Sequence, residues 1–287
     1  MLDGVAAAVA AALLFSLSMV LQKREAEQVA RGGVWILASL ARRPAWLLAL
    51  ALQLAGFALQ SWALTRAPVT VVEPVVAGGL VFVVLFALLV LRERPGRQEL
   101  SGTLLLALGL GLLVSNFQTV SAFRRVSEHD LGLATAAALG LTLLLVALAR
   151  APFANRAALL LGTAAGVGQG MSDAMNRLAG AWWEPRAGWI PPRSMGWLAT
   201  ALLAFFGLIG LVVAQNALRR YRANSVVPCI LGAQVVIPIA VASALFGERM
   251  PDAPVALGAA AFLTVAGLGL LGTSRTIAST LAANAAP

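Results

Sequence analysis

The chain has 287 residues, 60% of them hydrophobic and 11% charged, with a mean hydropathy of +0.87 and a formal net charge of +9. Soluble domains carry about 25% charged residues, so this composition excludes a water-soluble fold and puts most of the chain in lipid. The arginines are scattered one to three at a time through loops, which excludes a nucleic-acid footprint, and the single cysteine, Cys229, excludes an intramolecular disulfide.

Apolar runs long enough to cross a hydrocarbon core of ~30 Å fall at 5–21, 45–65, 69–91, 99–117, 131–149, 157–179, 195–217, 225–246 and 254–273. The first has only Asp3 before it and Lys23 and Arg24 after it, the charge order of a retained span and not of a signal peptide. The segment 32–41 is apolar but about half the length a span needs, and is expected as an interfacial helix or a re-entrant piece. The expected fold is therefore an all-α polytopic membrane protein of nine transmembrane helices, with no stretch left for a separate soluble domain.

Cytoplasmic loops hold an excess of lysine and arginine. With the N-terminus outside, fourteen of the 21 basic residues fall on the inner side, six on the outer, and Arg177 lies at a span end, so the expected topology is N-out and C-in. Six of the seven tryptophans lie near span ends or in the loop from Trp182 to Trp197, as interface anchors do. Lys23 is the only lysine, and with so much alanine this suggests a GC-rich bacterial genome and hence the bacterial cytoplasmic membrane.

An offset of 154 residues aligns the chain with itself. "FSLSMVLQKREA" at Phe15 meets "QGMSDAMNRLAG" at Gln169, with Ser18 on Ser172, Gln22 on Asn176 and Lys23 on Arg177. "WALTRAPVTVVEP" at Trp62 then meets "NALRRYRANSVVP" at Asn216, placing Pro74 on Pro228 and Gly78 on Gly232. After four residues of slippage in all, Gly109 and Gly111 meet Gly267 and Gly269. Residues 1–120 form the first repeat, 121–155 a connector carrying the fifth span, and 156–287 the second repeat, all within one transmembrane domain. A displacement of five spans reverses orientation, so the expectation is two inverted-topology repeats around a central cavity, the arrangement that supports alternating access.

The run "ALTRAPVTVVEPVVAGGLVFVVLFALLVLRERP" and its second copy "VVPCILGAQVVIPIAVASALFGERMP" resemble the signature of the drug/metabolite transporter superfamily, of the EamA-like kind. Within it, "SMVLQKREAE", "RGGVWILASLARRPAWLLAL" and the nine-span count look most like the NIPA-like magnesium transporter branch. The resemblance covers nearly all of the chain and implies two packed helical repeats around a cavity. The sequence departs from that branch in carrying an acid at Glu73 and a single lysine in the first loop.

Apart from Glu99 at the start of span four, only Glu73 and Asp173 are carboxylates within the expected spans. A charge near the bilayer centre costs about 2.5–3.5 kcal/mol on the insertion scale, so both should face the bundle interior. They are candidates to bind a cation directly or to take up a proton; the alternative for Glu73 is a structural tie to Arg177 or Arg66. Gln169 and Asn176 flank Asp173 on one helical face, a polar stripe in an apolar span. Gln53 and Gln60 share a face with Gly56 as a candidate cavity wall, while Gln234 lies between Pro228 and Pro238, near carbonyls that the prolines set free. Pro74 and Pro228 are candidate hinges at matched positions. Ser16, Ser18, Gln215 and Asn216 are expected to bond between helices, and Glu93, Glu99 and Glu248 to pair with nearby arginines.

These residues point to a secondary transporter moving a small solute, a metabolite or an organic cation. Magnesium is the alternative substrate, with Asp173 and Glu73 as the metal ligands. A membrane scaffold or membrane enzyme is the reading of another class, against which stands the lack of any nucleophile, base and orienter set. No cofactor is expected, and no ATP-binding motif occurs. The expected partners are the bilayer and the solute, with no nucleic acid and with homo-oligomerisation left open.

Overall fold

A computed structural model describes residues 2–30, 32–66, 72, 75–76, 78–116, 126–150, 156–183, 193–245 and 253–272. Among them are ten α-helices and no strand. In chain order these are α1 (Leu2–Glu27), α2 (Ile36–Leu40), α3 (Pro44–Arg66), α4 (Leu80–Val90) and α5 (Arg97–Asn116), then α6 (Glu128–Ala149), α7 (Ala157–Trp183), α8 (Arg193–Arg220), α9 (Ala223–Leu245) and α10 (Pro254–Gly272). Five of these, α1, α6, α8, α9 and α10, are long and apolar enough by themselves to cross a membrane. A sixth candidate joins Gly33–Leu40 to Pro44–Gln60 across a 93° bend. Helices α5 and α7 are not among these candidates, and α7 bears the polar residues Gln169, Ser172, Asp173 and Asn176.

Lipid gives helices no hydrophobic reason to associate, so close packing of small residues must hold them together. Helix α1 turns Ala7, Ala8, Ala11, Ala12 and Ser16 inward and packs along α3 and α4. Helix α7 carries Gly162, Gly166 and Gly170 on one face, where α9 crosses against Val226, Ile230 and Ile237. A Cβ at Gly170 would lie 2.9 Å from the Ile237 Cβ and 3.1 Å from the Gln234 carbonyl oxygen. The outward faces of the helices carry the large exposed residues, among them Leu48, Leu54, Leu108, Leu143, Leu208 and Phe262.

The same contacts recur in the two halves at the spacing found in the sequence. The Ser18 hydroxyl of α1 donates to the Ala49 carbonyl of α3 at 2.7 Å, and 154 residues on, the Ser172 hydroxyl of α7 donates to the Leu203 carbonyl of α8 at 3.0 Å. Gly56 lies against Phe15 and the Ala11 carbonyl, and Gly210, again 154 on, lies against Gln169 and the Ala165 carbonyl. Helices α5 and α10, last in their halves, cross each other reciprocally. Gly102 meets the Gly267 carbonyl as Gly109 meets the Ala260 carbonyl, each pair being the other's counterpart at an offset of 158.

The segment 33–40 bends across one end of the bundle. Gly33 opens it with φ +76, a backbone region glycine adopts without strain. Ile36 and Leu40 are buried against Val29 and Trp46, while Val34 and Trp35 are exposed. The amide of Gly33 donates to Asn216 Oδ1 at 2.7 Å and its carbonyl accepts from Asn216 Nδ2 at 3.0 Å, which fixes the segment to the end of α8.

A Cβ at Gly267 would lie 2.7 Å from both the Gly102 carbonyl oxygen and the Leu106 amide, backbone atoms that cannot step aside. Gly267→Val should therefore destabilise the α5–α10 pair by about 1–3 kcal/mol, the usual cost of overpacking. Gly258 of α10 has open space around it, so Gly258→Ala should leave stability unchanged or slightly raised. Thermal melts of the two variants in detergent check the difference.

Candidate functional site

At 100° per residue, Gln169, Asp173 and Asn176 lie within about 60° of arc on α7. To one side the Gly166 and Gly170 face meets α9; to the other Ser172 meets α8. The stripe therefore points into the wedge between α8 and α9. There Asp173, half-buried, accepts a hydrogen bond from Gln234 Nε2 on α9 at 3.0 Å. The structure thus brings together two residues that the sequence singles out 61 positions apart.

Gln234 offers a second group. Pro238 has no N–H for the carbonyl four residues before it, so the Gln234 carbonyl loses its ordinary helical donor. Its neighbour on α7 is Gly170, the residue type that leaves such a carbonyl uncovered. Beside Asp173, the side-chain oxygen of Gln169 is buried without a hydrogen-bond partner among the described residues. Carboxylate, freed carbonyl and amide oxygen are all acceptors, a set suited to a solute that brings N–H donors or positive charge. The acid has no counterpart on the first half, where the positions 154 residues before Gln169, Asp173 and Asn176 are Phe15, Met19 and Gln22.

Other candidates are placed differently. Gln53 of α3 belongs to a polar relay at the far end of α1: Gln215 Nε2 donates to Gln22 Oε1 at 2.6 Å, and Gln22 Nε2 to Gln53 Oε1 at 2.7 Å and to Ser18 Oγ at 3.0 Å. Trp46 Nε1 reaches Gln215 Oε1 at 3.4 Å. Gln60 is half-buried on α3, Asn176 is exposed, and Pro228 is buried inside α9, which continues through it. Glu73 and Pro74 lie outside the described residues, as does Glu248.

Arginines do more at this end than mark topology. Arg222, between α8 and α9, lies 3.7 Å from Glu93 and 3.6 Å from Glu99, and its Nη2 donates to the Arg94 carbonyl at 2.7 Å. Glu93 also accepts from the backbone amides of Ala223 and Asn224 at the start of α9. The buried Lys23 ammonium pairs with Glu27 at 2.5 Å, Arg43 pairs with Glu25 at 2.7 Å, and Arg219 donates to the Ala30 carbonyl at 2.8 Å. The loops after α1, α4 and α8 are thereby tied together. Sequence proximity suggests Arg92 and Arg94 as partners for Glu93; the bridging arginine comes instead from the other half of the chain.

Burial pushes the Glu93 carboxyl above its ordinary 4.5, against the opposing pull of Lys23, the Ala223 amide, Arg222 and the Asn224 amide. The folded state then holds the proton more readily than the unfolded one. The associated stability is complete below the unfolded value and is lost as pH rises through the folded value. Glu93→Gln removes this titration. The melting temperature of Glu93→Gln relative to wild type should rise from acid to neutral pH, and parallel melting curves across that range would show that Glu93 is not the titrating group.

No group of three or more histidine, cysteine or acidic side chains that could hold a metal ion occurs among the described residues. Set against known proteins, residues 2–115 match the EamA-like transporter family, a stretch that runs from α1 to the last turn of α5. No curated protein and no solved structure matches the chain. With five helices long and apolar enough to cross a membrane and a transporter-family match over its first 115 residues, the chain reads as a multi-pass membrane protein.

Proposed function

We propose that the chain is a secondary transporter of the drug/metabolite superfamily that moves a small organic solute, cationic or rich in N–H donors, by alternating access between two inverted repeats. The observation that carries this reading is the half-buried Asp173, held by Gln234 between α7 and α9, in a chain whose residues 2–115 match a transporter family. A carboxylate in an apolar bundle is expensive and marks a pathway or a site by default.

The repeat reading is supported by the paired bonds of Ser18 and Ser172 and by the reciprocal crossing of α5 and α10. Nine spans, with the N-terminus outside, follow from the basic-residue bias. The loops tied together by Arg222, Arg43 and Arg219 are those the bias puts on the cytoplasmic side, here of a bacterial inner membrane. Magnesium is the weaker substrate reading. Magnesium prefers near-octahedral oxygen coordination and is usually held by one or two carboxylates with several waters. Asp173 has an amide as its neighbour, and Glu73, the second acid that reading needs, is outside the described residues.

The test is thermal stability of purified protein across organic amines, neutral metabolites and divalent metals, followed by uptake of any stabilising compound into proteoliposomes. A ligand that binds only the folded state raises the melting temperature by mass action. Asp173→Asn keeps the shape and an acceptor for Gln234 but removes the charge. It should leave the ligand-free melting temperature near that of wild type and weaken the dissociation constant of a cationic solute about 10- to 100-fold, since a hydrogen bond to a charged group is worth ~1.5–3 kcal/mol. Undiminished binding and uptake in Asp173→Asn would remove the acid from the site, and stabilisation by magnesium alone would favour the metal.

A further inference from the structure

The two halves share an internal geometry but not a state of closure. Because Ser18 and Ser172 make the same bond at the same spacing, Gln22 and Asn176, each four residues further along its helix, are counterparts. Gln22 is 1% exposed and bonded across to Gln215 on the other half, whereas Asn176 is exposed. The packing of helices agrees: α1 lies against α8 at this end, but no comparable packing joins their counterparts α7 and α3 among the described residues. Among the described residues the structure is therefore closed where α1 meets α8 and has no corresponding contact where α7 would meet α3.

We propose that Gln22 and Asn176 are gate residues that work in turn. In the state described here Gln22, Gln215, Gln53 and Trp46 form a latch that seals the arginine-rich end. In the opposed state the latch parts, Gln22 becomes accessible from that end, and Asn176 is covered by α3. The reason lies in the chemistry of the relay. It is made of neutral amides whose donors and acceptors are equally well satisfied by water when the end opens, so parting costs little. Among the described residues five hydrogen bonds cross this end, Gln215 to Gln22, Trp46 to Gln215, the two between Gly33 and Asn216, and Arg219 to the Ala30 carbonyl. A net hydrogen bond contributes only ~0.5–1.5 kcal/mol, so together they set an equilibrium that a solute's binding can tip. The ion pairs of Arg222 with Glu93 and Glu99 join α4–α5 to α8–α9 and are separate from this contact.

This inference rests on the alternating-access reading above, so the experiment reads conformation without a solute. The native cysteine is buried and is removed as Cys229→Ser; Asn176→Cys or Gln22→Cys is then labelled in proteoliposomes with a membrane-impermeant maleimide. Adding Gln215→Ala unlatches the end, and should slow labelling at Asn176→Cys about 5-fold or more while speeding it at Gln22→Cys. If Gln215→Ala does not fold, the opposite arm serves. A short, reducible bis-thiol cross-linker between Gln22→Cys and Gln215→Cys should hold labelling of a third cysteine, Asn176→Cys, at its maximum and stop uptake until reductant is added. Asn176→Cys reactivity that is the same latched and unlatched, in protein that still takes up solute, overturns the gate and leaves the transport reading standing. Reciprocal labelling in protein that moves none of the solutes tried supports the gate and counts against the transport reading.

Discussion

In hydrocarbon, a helix gains nothing from hiding an apolar side chain, and the rest of this structure depends on that constraint. Association has to come from close approach and from hydrogen bonds that water does not contest. The alanine face of α1 and the glycine face of α7 supply the approach, and Ser18 and Ser172 each supply one bond to the neighbouring helix's backbone. Each half is built outward from such a helix, α1 with α3 and α4, α7 with α8 and α9. Where the halves meet, α5 and α10 cross glycine against backbone, and a side chain at either Gly102 or Gly267 would part them. The central helices thus carry small residues because the fold needs contact there, and polar residues stand out against them.

Much of this is legible in the order of residues. Every apolar run long enough to span overlaps a described helix, and the 154-residue offset that pairs Ser18 with Ser172 reappears as a shared hydrogen bond. These features are local or periodic, and periodicity survives in one dimension. What the order of residues does not reveal is partnership between helices far apart along the chain. Asp173 and Gln234 each stand out as polar residues in apolar runs, yet nothing in their spacing says that they meet. Gln53, a candidate cavity wall, accepts a hydrogen bond from Gln22, which is bonded in turn to Gln215, 193 residues away, and spacing shows none of this relay. Arg222 counts toward topology, and its place between Glu93 and Glu99 depends on two loops being brought together by packing. The crossing of helices decides such pairings, and crossing is set by ridges and small residues whose effect is felt only in three dimensions.

The polar residues divide by what surrounds them. In the latch, the side-chain oxygen and nitrogen of Gln22 are both engaged and Gln215 is bonded through its nitrogen and oxygen, so this buried network is satisfied. Near Asp173 the acceptors are differently placed. Gln234 supplies one donor to the carboxylate, while the Gln169 oxygen is buried without a partner among the described residues and the Gln234 carbonyl is freed by Pro238. A buried acceptor without a donor costs free energy until one arrives, which sets the Gln169 oxygen apart from the satisfied amides of the latch. Phe15 and Met19 take the places of Gln169 and Asp173 on the first half, so these polar groups occur on one half alone.

Under the proposed alternating access, unequal halves bear on how the protein cycles. Two identical halves would make the two closed states equal in energy with no help from a ligand; here one end is closed by a glutamine relay, while its counterpart offers the shorter Asn176. An asparagine side chain is one methylene shorter, so the same contact demands closer helices or gives a weaker bond, and the relay end is favoured when the site is empty. The bias cannot be large. For a ligand to carry the protein from about 1:99 to 99:1 it must bind the favoured state ~10⁴-fold more tightly, or about 5.5 kcal/mol. A few neutral hydrogen bonds keep the difference within that range, whereas a buried ion pair across the gate would strand a charge in low dielectric each time it parted, at several kcal/mol. The ion pairs of Arg222 with Glu93 and Glu99 lie between loops, and the direct side-chain contact of α1 with α8 is made by the amides of Gln22 and Gln215.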